Sequence, residues 1–120
     1  MLPAAFRLRD PELFRRAIRH GRRTGSRTLV LHRLESESNA GQGPVGAPSA
    51  QVGLVVSKAV GQAVTRNLVK RRIRAAAREL LGQLGPADVL VIRATPAAAT
   101  ASYAELSRDL GRCVQKVMTA

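Results

Sequence analysis

The 120-residue sequence predicts an α/β sandwich, in which helices pack on a central β-sheet. Residues 28–34, 51–57 and 88–94 are apolar in the alternating or continuous manner that is typical of strands. Three other segments repeat apolar residues at helical spacing. The residues give the order helix, one or more strands, connector, strand, helix, strand, helix, and with two strands before the connector this is α-β-β-β-α-β-α. The tight strand–helix–strand unit in its second half favours parallel pairing within one sheet.

The first half of the chain contains one helix, strands and a connector. Asp10 and Pro11 predict the helix start, because Asp can cap free amide groups and Pro suits the first turn, and Gly21 is placed to end the helix. A strand follows over Thr28 to Leu34. Residues 35–50 are small, polar and rich in Gly and Pro, which predicts a flexible connector inside a single domain spanning residues 1–120.

The second half of the chain alternates strands and helices. A strand from residue 51 to 57 precedes a basic helix that ends near Gly82. Residues 88–94 (DVLVIRA) are almost continuously apolar, as expected for a strand that is covered on both faces. Ser102 with Glu105 three residues later predicts a capping box at the start of the last helix.

The net charge of +12 is unevenly distributed along the chain. Residues 1–27 contain eight Arg and two acids, whereas the last 42 residues contain four Lys or Arg and four acids. Two separate basic segments indicate a wide electrostatic footprint rather than a small anion pocket. The chain has no Trp, two Phe and one Tyr, so it lacks the aromatic anchors of an interfacial helix, and we expect no membrane partner.

The cysteine content and the absence of targeting segments bear on location. Cys113 is the only cysteine, so no internal disulfide can form, which fits a reducing compartment. The sequence has no signal peptide and no apolar stretch of the ~20 residues that a membrane span needs. We therefore expect a cytoplasmic protein.

The most basic segment, residues 58–78, carries seven Lys or Arg and no acid. On a helix each residue advances by about 100°, so most of the cations of the helix fall on one side, whereas Arg72 points away from it. That side consists of Arg66, Asn67, Lys70, Arg71 and Arg74. Apolar residues occupy a different arc, which indicates that the helix docks on a core and leaves its cationic row open. An open cationic row suits a polyphosphate backbone, so the sequence predicts nucleic-acid binding.

The segment VGLVVSKAVGQAVTRNLVKRRIR, from Val52 to Arg74, resembles the protein component of bacterial ribonuclease P. The resemblance extends from about residue 7 to residue 117 and includes the DVLVIRA and SYAEL segments. It implies a two-layer sandwich with a mixed sheet and a left-handed strand–helix–strand crossover, although the usual crossover is right-handed. The family's Arg-Asn-Arg signature stands here as Arg66-Asn67-Leu68, so one RNA contact is missing or Arg72 substitutes for it.

The resemblance also implies the function and the partners. The family's protein joins a catalytic RNA, and the holoenzyme removes the 5′ leader from precursor tRNA by metal-dependent hydrolysis, with Mg²⁺ held mainly by the RNA. No obligate protein partner is expected. The residues matching the basic-helix motif, together with Arg7 and Arg9, become candidate RNA contacts. We expect no catalytic residue or metal ligand from this chain, because its eight acids form no converging cluster in the sequence.

A leader-binding cleft is also implied by the resemblance. The resemblance assigns it to Phe14, Ile18, His32 and Lys58. Aromatic rings can stack on bases. The family often has an aromatic residue where this chain has Ile18, and Tyr where this chain has His32. The alternatives are ordinary core packing for Phe14 and Ile18, and a strand histidine without a role for His32.

Two other functions are compatible with a basic helix. An RNA-binding domain without a nuclease partner would use the same residues but would be indifferent to a leader. A DNA-binding regulator is disfavoured, because the basic helix lies between two strands and no helix–turn–helix signature is present.

Overall fold

The computed structural model describes residues 6–35, 50–85 and 88–119, so residues 36–49 of the connector predicted at 35–50 lie outside the described residues. Within them the elements follow the predicted order. They are α1 (Pro11–His20), β1 (Arg22–Gly25), β2 (Leu29–Glu35), β3 (Gln51–Val55), α2 (Ala63–Leu80), β4 (Asp88–Ala94) and α3 (Tyr103–Thr119). Short 3-10 turns at Leu81–Gln83 and Pro96–Ala99 flank β4. No described helix is long and apolar enough to cross a membrane.

The four described strands form one sheet in the order β1-β2-β4-β3. The β1–β2 and β2–β4 pairs are antiparallel, whereas β3 and β4 are parallel, with Val52 opposite Leu90. The predicted mixed sheet and the parallel strand–helix–strand pairing are therefore confirmed. Strand β1 had no apolar periodicity in the sequence because it is an edge strand with mostly exposed side chains.

The continuous apolar run of β4 is explained by helices on both faces of the sheet. Leu90 and Ile92 join the large core beneath α2 and α3, and Val89 and Val91 join a smaller cluster with Ala17 of α1. The sheet with α2 and α3 forms the predicted two layers. The short helix α1 covers the opposite face of the sheet.

Polar contacts at the predicted turns secure the helix ends. The Asp10 carboxylate accepts a hydrogen bond from the Glu12 N–H, and Ser102 and Glu105 form the reciprocal capping box. Gly21 ends α1 where the chain passes close to β2, since a Cβ built there would lie 2.6 Å from the Arg33 carbonyl oxygen. The predicted caps of α1 and α3 are confirmed.

A buried ion pair joins the antiparallel strands β2 and β4. The Arg33 guanidinium donates to the Asp88 carboxylate at 2.8 Å, and the second carboxylate oxygen accepts from the Gly85 N–H at 2.7 Å. This contact fixes the turn that returns the chain from α2 to β4.

Candidate nucleic-acid interface

A cleft of about 410 Å³ opens at the β3 edge of the sheet. The chain segment before α1 runs beside this edge, and the Leu8 N–H donates to the Val52 carbonyl oxygen at 2.9 Å. Helix α2 closes one side of the cleft and α1 the other. The described residues that line it are Arg7, Leu8, Arg9, Phe14, Val52, Gly53, Leu54, Lys70 and Arg74.

The cleft wall combines cations from two distant parts of the sequence. Arg7 and Arg9 approach from the segment before α1, and Lys70 and Arg74 project from neighbouring turns of α2. Val69 and Ile73 are buried in the core, and this anchoring turns the cationic side of α2 outward. The described lining contains four cations and no acid, so it attracts polyanions and does not fit a divalent cation.

Phe14 forms the apolar part of the cleft, and Gly53 is the residue that makes room for it. A Cβ built on Gly53 would lie 2.6 Å from Phe14 Cε2 and 3.1 Å from Leu8 Cδ2. Only hydrogen at position 53 lets the aromatic ring lie against the backbone of β3. This role was not predicted from the sequence. A glycine inside a strand pattern, which often marks a close approach, was the available signal.

The remaining predicted contacts on α2 lie outside the cleft lining. The Arg66 Nε donates to the Gly61 carbonyl oxygen at 3.1 Å, which ties this side chain to the turn before the helix. Asn67 and Arg71 are exposed. Lys58 is exposed in the preceding turn and does not line the cleft. The candidate residues on α2 thus form an open row, and its C-terminal part, Lys70 and Arg74, enters the cleft.

Arg72 points away from the cationic row, as its helical angle indicates. Its guanidinium donates to the Ala101 carbonyl oxygen at 2.9 Å and so links α2 to the segment before α3. Leu68, where the family has Arg, is half-buried. Arg72 therefore has a structural contact of its own and does not replace the missing cation of the motif.

Replacing Arg72 by Ala is expected to lower the free energy of unfolding by about 1.5 kcal/mol, because a charged donor to a partly buried carbonyl is lost. RNA affinity should fall no more than for removal of one remote charge. Urea unfolding measures the first quantity and filter binding the second. Arg71→Ala gives the opposite pattern, since Arg71 is exposed on the same turn and is a proposed RNA contact: stability should be unchanged and RNA affinity should fall. A greater loss of RNA affinity than of stability would contradict the structural role.

The two other candidates for the leader cleft are separated from Phe14. Ile18 is 39% exposed on the next turn of α1 but does not line the cleft. His32 is only 2% exposed and lies on the α1 side of β2, opposite Val91. Its ring has no open face for a base in this conformation, which favours the alternative of a buried strand histidine.

The buried His32 ring is held in its neutral form. Within the described residues, neither ring nitrogen has a hydrogen-bond partner. Burial lowers the pKa of His32 below its usual 6.5, and the positive charges of Arg93 and Arg23 lower this pKa further. Protonation would place an unpaired cation next to two others, so it opposes folding.

Stability is expected to fall as the pH drops below about 6.5, because the unfolded chain then binds a proton that the folded chain excludes. Above that pH neither the folded nor the unfolded chain protonates His32, so this residue no longer lowers the free energy of unfolding. Thermal melts between about pH 5 and pH 8 test this sign. The His32→Leu variant should show a smaller slope than the wild type, and His20→Gln, at the exposed end of α1, should not. An equal slope in His32→Leu would refute the assignment.

No group of three or more His, Cys, Asp or Glu that could hold a metal ion occurs among the described residues. The acids near helices are engaged instead in capping and ion pairing, such as Glu12 with Arg15 and Glu105 with Arg27. The chemistry that this surface supports is therefore binding of a polyanion with one aromatic contact.

Comparison with known proteins identifies the family. The Ribonuclease P family model matches residues 2–118. The ribonuclease P protein component of Nocardioides sp. is 56% identical over 117 residues, covering 98% of this chain and 95% of the relative. That of Streptomyces griseus is 43% identical over 118 residues, covering 98% and 96%.

A solved structure has the same fold. The chain superimposes on a Staphylococcus aureus RNase P protein mutant with a TM-score of 0.80 at 22% identity, covering 95% of this chain and 89% of the other. Together with the sequence relatives, this means that the chain belongs to the bacterial ribonuclease P protein component family, whose members are subunits of an endoribonuclease that also contains RNA.

Proposed function

We propose that this protein binds the catalytic RNA of ribonuclease P through the cationic row of α2, and the 5′ leader of precursor tRNA through the cleft beside β3. It thereby assists the metal-dependent cleavage that produces the mature 5′ end of tRNA. The Mg²⁺ ions are held mainly by the RNA, and the complex works in the cytoplasm without an obligate protein partner. The chain supplies charge and shape rather than reacting groups.

The observation that carries this proposal is the position of Phe14 between cations from both sides of the cleft. Single-stranded nucleic acid is commonly bound by a positive groove with an aromatic platform, since every base has a face that can stack. Arg9 and Lys70 can contact backbone phosphates on either side while the ring contacts a base. Ile18 and Lys58 lie outside the cleft lining and would contact the leader beyond the ends of the cleft.

The cationic row on α2 suits the catalytic RNA rather than the leader. Asn67 and Arg71 point to solvent and Arg66 lies beside them at the helix start. Arg and Lys position phosphates, and Asn can donate to a phosphate or to a base edge. Because Lys70 and Arg74 also enter the cleft, they lie where the catalytic RNA and the leader would meet. Their charge lowers the repulsion between the two phosphate backbones.

Cleavage of precursor tRNA at low Mg²⁺ tests the proposal. A bacterial ribonuclease P RNA is assayed with and without this protein, and the protein is assayed alone. We expect the protein to restore cleavage at the leader junction and to be inactive without the RNA. Binding of RNA without any help to cleavage, including with RNA from the same organism, would leave only a basic RNA-binding domain.

A further inference from the structure

A second cationic cleft lies at the opposite edge of the sheet. Its volume is about 400 Å³, and it is formed by β1 and the C-terminal half of α3. The described residues that line it are Arg22, Arg23, Thr24, Lys116 and Val117. None of them belongs to the interface described above.

The composition of this second cleft matches a phosphate group. Arg22, Lys116 and the Thr24 hydroxyl stand on the side of the buried Val117, Arg23 also lines the cleft, and no acid is among the described lining residues. The two acids of α3 lie toward its other end, where Glu105 pairs with Arg27 and the Asp109 carboxylate accepts a hydrogen bond from Thr28. Among the described residues of the C-terminal half of α3, the charged side chains are therefore all basic.

Two general structural reasons favour single cations at these positions. Lys116 lies in the last turn of α3, where a positive charge offsets the helix dipole. Charged side chains on β1 discourage pairing of an edge strand with another chain. Neither reason requires cations from two elements to converge on one cleft that also carries the Thr24 hydroxyl. Arg and Lys side chains with a hydroxyl group are common donors to nucleic-acid phosphates.

The two clefts are far enough apart to act on different phosphates. Strands β1 and β3 are separated by three strand spacings of ~4.8 Å, which amounts to about 14 Å. This separation exceeds the Debye length of about 8 Å at physiological ionic strength. Contacts at the two edges should therefore contribute independently to the salt dependence of binding.

We propose that the cleft between β1 and α3 binds a backbone phosphate of the catalytic RNA, as a second contact beyond the α2 row. The inference rests on the proposed function. Arg22 and Thr24 pair with Arg33 and Leu31 and so share the α3 side of the sheet, whereas Phe14 marks the α1 side. A large folded RNA can contact the β1 edge on the α3 side as well as the α2 row. A short leader that passes Phe14 on the α1 side does not extend to that edge.

The test compares Arg22→Gln and Lys116→Gln with Arg108→Gln, which removes the same charge from an exposed position of α3 outside the cleft. Affinity for the ribonuclease P RNA is measured by filter binding across a salt series. Each cleft variant should weaken binding about fivefold and reduce the salt slope by about 0.7–0.9, as expected for one lost phosphate contact. Arg108→Gln should have little effect. Circular dichroism confirms that each variant is folded.

A second measurement distinguishes the catalytic RNA from the substrate. The affinity of the assembled holoenzyme for precursor tRNA should be unchanged in the cleft variants once the RNA is saturated. A loss confined to precursor tRNA would overturn the assignment to the catalytic RNA. Equal behaviour of the cleft variants and Arg108→Gln would overturn the site itself. Lys70→Gln distinguishes failure of this second site from failure of the proposed function, because Lys70→Gln should weaken RNA binding whenever the proposed function holds.

Discussion

Replacing Gly53 by alanine is expected to displace Phe14 and to weaken binding of leader-bearing precursor tRNA by about tenfold, as when one base–aromatic stack is lost. The new methyl group would occupy the space of the ring edge, with Phe14 Cε2 only 2.6 Å away. Crowding of this kind costs about 1–3 kcal/mol of folding stability. Affinity of the holoenzyme for precursor and mature tRNA is measured together with the urea midpoint.

A double-mutant cycle makes this prediction specific to the ring. Phe14→Ala alone should also weaken binding of precursor tRNA and spare mature tRNA. Adding Gly53→Ala to Phe14→Ala should have little further effect on leader binding, because the displaced group is already absent. Gly25→Ala is the matched control, since its Cβ would find its nearest atom 3.8 Å away, in ordinary contact. Additive losses of leader binding would show that Gly53 acts by another route.

Removing Lys70 and Arg74 together is expected to lower affinity for the ribonuclease P RNA by one to two orders of magnitude and the salt slope by about 1.4–1.8, if each contacts one phosphate. Both side chains project from α2 into the cleft at neighbouring turns. Glutamine at each position keeps the length and polarity of the side chain while removing the charge. Filter binding across a salt series measures both quantities.

The control for this pair is Arg78→Gln, because Arg78 is exposed on the same helix and lies outside the cleft lining. It should change the slope by much less than one unit. Thermal melts should show little change for any of these variants, since the helix is held by Val69, Ile73 and other buried residues. An unchanged salt slope in the double variant would mean that neither cation contacts a phosphate.

Local patterns were sufficient to predict the element order and which side of α2 is open. Helical spacing places Lys70 and Arg74 on the open side of α2 and Val69 and Ile73 against the core, and the structure confirms this division. The continuous apolar run at 88–94 predicted a strand covered on both faces, which β4 is. Such properties depend on residues a few positions apart, so they can be predicted without knowledge of the fold.

Other features depend on which distant segments meet, and only the tertiary structure decided them. Arg9 and Lys70 are 61 residues apart in sequence, yet they share a cleft because Arg7 and Leu8 lie along the β3 edge. The same assembly buries His32 and gives Gly53 its role beside Phe14. The charge of this chain and the helix that carries it were determined by the sequence, because they follow from composition and period. The cleft required long-range packing, which no local pattern encodes.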